Sequence, residues 1–584
     1  MQARPPSAAP FADRFGRWTP ALVALGLIVV FLVTRLPWLD ADIPQWELTW
    51  YSPIDEFGYT VPAFNLLHYG TWVHQAAPWA PIEGPPINVA QNLVAAVTMW
   101  VVGYSYWGLR ASSIVFGLIT FLGLVSIVRR QAAEAREFEG ASPRLALAVV
   151  VAAIVLLLAD FSFLLSARIV EPTVTRLAAA AVIIAFACRG TFLGENRGLV
   201  RSAAFGGAVT AAVLFVYIYN AFLLPAALLT VAWWAFRFGG GAAVARHGVA
   251  FLAGCVAVTV LFFGLIALIY RESPIEWYRT WISAFATTTR GNGLSLGKIA
   301  AILEANVFRL DPAFVGVVLA SVPVFAWTLV RRPNAWLVLL TTSFLAFLVQ
   351  SAFVADYPER KFIMVMLFAL PVAASGILGW RAFQALVMTD PPRLVALTVW
   401  LTGALFLTAL VSPLRAVIPH GSLLARIVLV AGGVGVAALI ALLILRRPAF
   451  VTGAAAALCL AILAPLLYAD AAFVYRRPTF TYRDAQIAVG RTIDGQTTAG
   501  GWSFGMQLYN TSRPVLSEYT SRIEKAGYDE AVVRLFREGT ATSLFDYVDA
   551  KTRSRWETLG FRLADTYAII LPRGQQLGRY LFGT

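Results

Sequence analysis

The chain has 584 residues, 59% of them hydrophobic and only 13% charged, and its mean hydropathy is +0.71. A soluble globular chain carries roughly 25% charged residues, so this composition excludes an ordinary cytosolic enzyme and equally a disordered or fibrous chain, and leaves a polytopic membrane protein. The net charge of +14, from 46 Lys and Arg against 32 Asp and Glu, would suggest nucleic acid in a soluble protein; here it reads as basic cytoplasmic loops, and no nucleic-acid partner is expected.

The arginines orient the spans. Arg4, Arg14 and Arg17 precede the first apolar run, which puts the N-terminus inside and a first span at 19–36. That run continues through Thr34-Arg35-Leu36-Pro37-Trp38 without a small-residue cleavage site, so it reads as a span and not as a signal peptide. Two apolar segments, 87–104 and 107–128, precede the next basic cluster of Arg129, Arg130, Arg136 and Arg144. If both crossed, that cluster would lie outside. The first is interrupted by Asn88, Gln91 and Asn92, so it is expected as a juxtamembrane or re-entrant helix while 107–128 crosses.

Further spans are expected at 145–162, 172–189, 202–218, 221–237, 247–270, 312–330, 335–354, 361–380, 394–411, 424–445 and 450–470. The inner turns between them carry Arg189, Arg197 and Arg201, then Arg237 and Arg246, Arg331 and Arg332, Arg381 and Arg393, and Arg446 and Arg447. The total of about thirteen spans places the C-terminus outside. The three cysteines, Cys188, Cys255 and Cys459, all fall in apolar stretches and suggest neither a disulfide framework nor a zinc site.

Two outer segments are too long for plain connectors, 37–106 and 271–311. From 472 onward hydropathy falls and charge rises. Strands are expected at 498–502, 514–517 and 567–571, and amphipathic helices at 529–538 and 551–559. The expectation is a membrane domain over 1–471 and a small extracytoplasmic α/β domain over 472–584.

The first outer loop holds Asp40, Asp42, Glu47, Asp55, Glu56 and Glu83 and no Lys or Arg. Translocated loops lack basic residues anyway. That rule does not account for adjoining carboxylates among apolar and aromatic residues, as in Ser52-Pro-Ile-Asp-Glu-Phe-Gly-Tyr59. Two readings stand on the residues alone. The pair supplies a base of tuned pKa, or Ser52 or Asp55 caps a helix over 59–67.

The run Asp55-Glu56-Phe-Gly-Tyr-Thr-Val-Pro-Ala-Phe-Asn-Leu-Leu-His-Tyr-Gly-Thr-Trp72 resembles the first-loop signature of the GT-C membrane glycosyltransferases, in particular the branch of protein O-mannosyltransferases and lipid A aminoarabinose transferases. Glu83-Gly-Pro-Pro-Ile87 is similar to that branch's Glu-Lys-Pro-Pro-Leu segment. Gly103-Tyr-Ser-Tyr-Trp-Gly-Leu-Arg110-Ala-Ser-Ser113 resembles its entry to the second span, and Ala167-Arg168-Ile-Val-Glu171 its Arg and acidic pair at the outer mouth of the fourth. The pieces occur in the family's order over roughly residues 20–190, and their order is more specific than any one of them.

The resemblance implies a GT-C-like fold and an inverting transfer of a sugar from a polyprenyl-phosphate donor to an extracytoplasmic acceptor at a bacterial plasma membrane. The acceptor is an unspecified lipid, glycan or protein. The resemblance implies Asp55 as the general base on the acceptor hydroxyl and Glu56 as its orienting or electrostatic partner. It gives Glu83, Arg168, Glu171 and Tyr59 roles in orienting donor or acceptor. No metal or other cofactor is expected; His68, His74 and Glu83 could form a metal set, but surface polar contacts explain them as well. Gly58 and Gly84 stand where the aminoarabinose branch has basic residues, which argues against aminoarabinose as the sugar.

The donor phosphate then needs positive charge from elsewhere. Asp356-Tyr-Pro-Glu-Arg-Lys361 resembles a Pro-x-Arg-Tyr segment of the family, which makes Arg360 and Lys361 phosphate candidates against the alternative of lipid-headgroup contacts. Arg290 and Lys298, in a glycine-bearing stretch of the second outer loop, are candidates as parts of a flap. Arg168 and Glu171 are expected one helical turn apart and able to pair. Arg35 reads as a snorkelling span end, and Arg176 as pairing with a neighbour or reaching a cavity. Two other functions fit the composition. A lipid-linked sugar transporter would show repeats and mid-membrane charges, and a sugar-binding scaffold would lose nothing on Asp55→Asn.

Overall fold

A backbone inside a bilayer can hydrogen-bond only to itself, so long apolar runs fold as helices. A computed structural model of the chain describes residues 11–42, 53–72, 88–188, 198–270, 312–353, 358–411, 478–516, 525–567 and 576–583. The membrane part contains α1 (Phe11–Arg35), α2 (Pro53–Gly58), α3 (Val61–Tyr69), α4 (Val89–Val102), α5 (Tyr106–Phe138), α6 (Pro143–Ala159), α7 (Phe161–Ser166), α8 (Pro172–Cys188), α9 (Gly198–Ala211) and α10 (Leu223–Tyr270). It continues with α11 (Pro312–Arg331), α12 (Ala335–Phe353), α13 (Pro358–Val387) and α14 (Pro391–Val411). Among the described residues four helical stretches are long and apolar enough to cross a membrane: Tyr106–Phe138, Gly198–Val216, Ile218–Leu268 and Met364–Val387.

Each expected span up to 394–411 falls on a helix, and those at 424–445 and 450–470 lie outside the described residues. The segment expected not to cross is α4. Its 14 residues reach about 21 Å at 1.5 Å per residue, short of the roughly 30 Å hydrocarbon core.

Two departures from straight spans have local causes. The expected spans 221–237 and 247–270 share α10, which breaks at Gly240 with φ 65 and ψ −163, a conformation open to glycine. Between α9 and α10 the chain passes through a π turn (Ala212–Val216), an extended Tyr217 and a 3-10 turn (Ile218–Phe222). The backbone groups freed there are taken up inside the protein. Asn220 donates to the Ala212 carbonyl at 3.1 Å. Gln350 donates to the Tyr219 carbonyl at 2.9 Å and accepts from the Phe222 amide at 2.9 Å. Arg176 also donates to Tyr219 at 3.2 Å, with its guanidinium 5.3 Å from that ring; a neighbour is thus its partner. Helices α9 and α10 approach closely because a Cβ at Gly206 would collide with the Phe251 carbonyl, and one at Gly254 with the Ala203 carbonyl.

Among the described residues, three of the basic turns expected inside, those of Arg130, Arg237 and Arg332, meet at one end of the bundle. Arg130 pairs with Glu134 at 2.7 Å, and Glu134 accepts from Asn334 and Trp336. Arg332 donates to the Phe138 carbonyl and Arg237 to that of Pro333. Arg110 and Phe138, both on α5, are about 42 Å apart along the helix axis at 1.5 Å per residue. At the Arg110 end lie the first loop and the C-terminal domain.

Arg35 at that end does not snorkel. It is fully buried, donates to the carbonyls of Leu157 and Leu158 at 3.0 and 2.8 Å, and lies over the rings of Phe31 and Phe163. A cation there satisfies the last carbonyls of α6 and complements its dipole.

The C-terminal domain comprises α15 (Thr481–Ile493), β1 (Thr497–Ala499), β2 (Arg513–Leu516), α16 (Lys525–Arg537), β3 (Ser543–Tyr547), α17 (Ala550–Thr558), β4 (Phe561–Tyr567) and β5 (Leu577–Phe582). The sheet order is β2-β1-β3-β5-β4. Strand β1 runs parallel to β2 and β3, and β5 is antiparallel to β3 and β4. The domain is α/β as expected. The strand expected at 567–571 ends at Tyr567 and extends backwards to Phe561, and residues 568–571 lie outside the described residues. One core of the domain gathers Tyr528, Trp556, Phe561 and Tyr580. A second gathers Tyr482, Trp502 and Phe545 together with Phe57, Val61, Phe64 and Tyr106 of the first loop and α5. The C-terminal domain therefore shares a hydrophobic core with the loop that carries the acidic pair.

Candidate functional site

The site begins with a tight connection. Gly103, at φ 101, leads into Ser105, whose hydroxyl accepts from the Gly108 amide at 3.2 Å and caps α5. A Cβ at Gly108 would collide with the Gly103 carbonyl. Both glycines are thus needed to fold α4 back along α5, and the fold sets Arg110 in the second turn of α5.

Pro53 opens α2, a position where its missing N–H costs nothing. The Thr60 hydroxyl donates to the Glu56 carbonyl at 2.7 Å, and α3 follows from Val61 to the left-handed Gly70. Asn92 of α4 locks this turn. It donates to the Tyr59 carbonyl at 2.9 Å and accepts from the Ala63 amide at 3.0 Å. Gln91 accepts from Thr175 of α8 at 3.0 Å. The polar residues that mark 87–104 as unlike a span are thus buried hydrogen-bonding groups that tie α4 to α3 and α8.

Helix 59–67 starts at Val61 with Thr60 at its cap, so Asp55 does not cap it. Asp55 is the third residue of a separate helix, α2; its side chain is outside the described residues.

Glu56 is fully buried and engaged. Its carboxylate receives the Arg110 guanidinium in a fork, Nε to Oε1 at 3.0 Å and Nη2 to Oε2 at 2.8 Å, and the Val170 amide at 3.0 Å. Arg110 is 3% exposed, lies 4.5 Å from the Tyr106 ring centroid, and donates through Nη1 to the carbonyls of Leu39 and Ala41 at 2.8 and 2.7 Å. Through these bonds the Glu56 carboxylate joins α2, α5 and the segment before α8.

That segment corrects a second expectation. Residues 167–171 are a non-helical turn between α7 and α8, so Arg168 and Glu171 are not one helical turn apart. Arg168 donates to the Trp38 carbonyl at 2.5 Å, and Glu171 accepts from Thr173 at 3.4 Å. Trp38 itself has φ 54, a left-handed conformation unusual for a bulky side chain.

The C-terminal domain closes over these elements. Phe57 stacks on Tyr482 at 5.8 Å and 20°, Tyr69 donates to the Thr511 carbonyl at 2.7 Å, and the Tyr106 amide donates to the Tyr509 hydroxyl at 3.3 Å. Burial, and after it the charge of Glu56, push the Tyr482 phenol well above its ordinary range, so it stays protonated. Burial likewise raises Tyr69 to about 12.

The structure thus brings together the Asp55 helix, Glu56, Tyr59, Arg168 and Glu171. Glu83, Arg290 and Lys298 lie outside the described residues. Arg360 and Lys361 lie in the first turn of α13, with side chains outside the described residues. The partners of Glu56 were within reach of the sequence in one respect: Arg110 stands at the outer start of the expected span 107–128, on the side where basic residues are rare.

Neither the protein-family models nor the curated protein sequences give a match to this chain. Solved structures do. ArnT from Cupriavidus metallidurans in the apo state aligns with a TM-score of 0.53 at 17% identity, over 97% of this chain and 98% of that one. ArnT from the same organism bound to undecaprenyl phosphate aligns with a TM-score of 0.52 at 15% identity, over 96% and 98%. The alignment runs the length of both chains and includes the C-terminal domain, and on it the chain has the same fold as these ArnT structures, the GT-C fold.

Proposed function

We propose that this protein is an integral-membrane glycosyltransferase that moves a sugar from a polyprenyl-phosphate donor to an acceptor hydroxyl outside the cytoplasm, with inversion and with Asp55 as general base. The observation that carries the reading is the Glu56–Arg110 fork beneath α2. A buried bidentate ion pair is costly to build, and here it fixes the short helix that bears Asp55 while occupying the neighbouring carboxylate. One acid of the pair is structural, which leaves Asp55 for the proton. Single displacement needs one carboxylate to take the acceptor proton as the hydroxyl attacks the anomeric carbon and the polyprenyl phosphate departs. This reading includes no metal ion.

The leaving phosphate gains negative charge, and Arg360 and Lys361 are assigned to it. Their place in the first turn of α13 supports this, because a helix N-terminus adds to the positive field that an anion meets. Arg290 and Lys298 are assigned as further contacts from the second outer loop. The undecaprenyl phosphate bound by the ArnT structure supports a donor of that carrier class. The test is a transfer assay of the purified protein with a panel of polyprenyl-phosphate sugars and analysis of the product anomer. Transfer with inversion from at least one donor is expected, and retention of configuration would remove the single-displacement mechanism.

A further inference from the structure

We propose that the C-terminal domain is a working part of the transfer site: Asp40 and Asp42, held by Thr481, Tyr482 and Arg483 of α15, are positioning residues that fix the Asp55 helix through segment 38–42, Arg110 and Glu56. The catalytic consequence rests on the glycosyltransferase reading; the mechanical coupling rests on geometry alone.

Helix α15 lacks a cap of its own. Phe480 stands at its cap position and offers no side-chain hydrogen bond. Asp42 supplies the cap from 439 residues away. Its Oδ2 accepts from the Thr481 amide at 2.7 Å and from the Thr481 hydroxyl at 2.9 Å, and its Oδ1 accepts from the Tyr482 amide at 3.2 Å. The backbone follows, with the Asp42 amide donating to the Thr479 carbonyl at 2.8 Å. Two residues earlier, Asp40 pairs with Arg483 at 2.8 Å, and the Arg483 guanidinium sits over Phe480 at 4.1 Å. The carboxylates of this segment thus serve the C-terminal domain.

Its carbonyls serve the membrane domain. Arg168 takes that of Trp38, and Arg110 takes those of Leu39 and Ala41. The same Arg110 carries Glu56 of α2. A non-glycine residue held at positive φ, as Trp38 is, persists where its surroundings over-determine it, and such residues gather at functional sites. The domain also reaches α2 directly through the Phe57–Tyr482 stack. Helix α2 is therefore held from two sides, by Arg110 and by α15, and α15 is itself capped by the segment that Arg110 holds. A rigid loop of this kind places a base; a displacement of about 1 Å costs on the order of 100-fold in rate.

The experiment uses the full chain with Asp42→Ala, the conservative Asp42→Asn, which keeps one oxygen acceptor, and Arg483→Ala. Amide hydrogen exchange over α2 and α3 reads the coupling, and steady-state transfer reads its consequence. Faster exchange at residues 57–64 in Asp42→Ala is expected, with kcat lowered about 10- to 100-fold, donor KM unchanged, and Asp42→Asn recovering most of both. Unaltered exchange over α2 would overturn the coupling whatever the reaction turns out to be. Faster exchange with unaltered kcat, or a change confined to KM, would overturn the positioning role. If the wild-type protein transfers sugar from no polyprenyl donor, the functional reading falls by itself, and the exchange comparison still decides the coupling. If Asp42→Ala fails to fold, Asp42→Asn and Arg483→Ala carry the same comparison.

Discussion

Removal of either member of the Glu56–Arg110 pair tests how the acidic loop is held. Both side chains are buried, at 0% and 3% exposure, and they meet in a fork at 2.8 and 3.0 Å. Arg110→Met strips Glu56 of its fork and removes the donor shared by the Leu39 and Ala41 carbonyls. Breaking a buried pair from one side costs about 3–5 kcal/mol, because the remaining charge loses its compensation. Glu56→Leu should cost a similar amount by leaving the guanidinium. The double variant removes both charges and should cost less than the sum by about 2–3 kcal/mol. The assay is a reversible unfolding titration in mixed detergent micelles, run as a double-mutant cycle. Single costs below about 1 kcal/mol, or strict additivity, would refute the pair as the element that holds α2, since exposed ion pairs behave in that way.

Two further perturbations follow from the interface. The Tyr482 hydroxyl is buried and has no hydrogen-bond partner among the described residues, so Tyr482→Phe should leave stability unchanged or raise it by up to about 1 kcal/mol, whereas Gly505→Ala, whose Cβ would come 2.5 Å from that hydroxyl, should destabilise the protein and be relieved in the double variant; a melt of the three proteins checks this, and an unrelieved double variant would contradict it. His68 lies between Phe64 and Tyr104, each ring 4.1 Å away, and burial lowers its pKa against a smaller opposing effect of the Asp494 charge. The unfolded chain then binds the proton more readily, so the contribution is present above the ordinary imidazole value of about 6.5 and is lost as pH falls from there through the depressed folded value. Melts from pH 8 to pH 5 should show the wild type losing stability relative to His68→Phe, and parallel curves would contradict this.

The helices were legible because apolar length and arginine placement are local signals. The runs 107–128 and 172–189, for example, fold as α5 and α8. Asn88, Gln91 and Asn92 marked 87–104 as unlike its neighbours, although their partners on α3 and α8 could not be read. The acidic pair was visible, but the partner of Glu56 was not. Glu56 is matched to Arg110 across 54 residues, and no periodicity encodes such a pairing. The Asp42 cap spans 439 residues and makes the same point for the C-terminal domain. Strand β3, Ser543–Tyr547, escaped because four of its five residues are buried, so it lacks the alternation that marks a half-buried strand. Strand β4 does alternate from Phe561 to Tyr567, yet only its last residue falls within the expected strand. Arg35 reads as a span end until α6 is seen to finish against it.

The central claim is that Asp55 takes the acceptor proton while Glu56 holds the loop. The most direct measurement compares Asp55→Asn with the wild type in single-turnover transfer from a polyprenyl-phosphate sugar that the wild type uses, with donor binding and thermal midpoint measured on the same preparations. Loss of a general base costs about 10²–10⁴-fold in rate, and that loss is predicted at Asp55 with donor binding and midpoint retained. Transfer by Asp55→Asn within a fewfold of wild type, or a loss that comes with a lowered midpoint, would contradict the claim and return the acidic pair to a purely structural role.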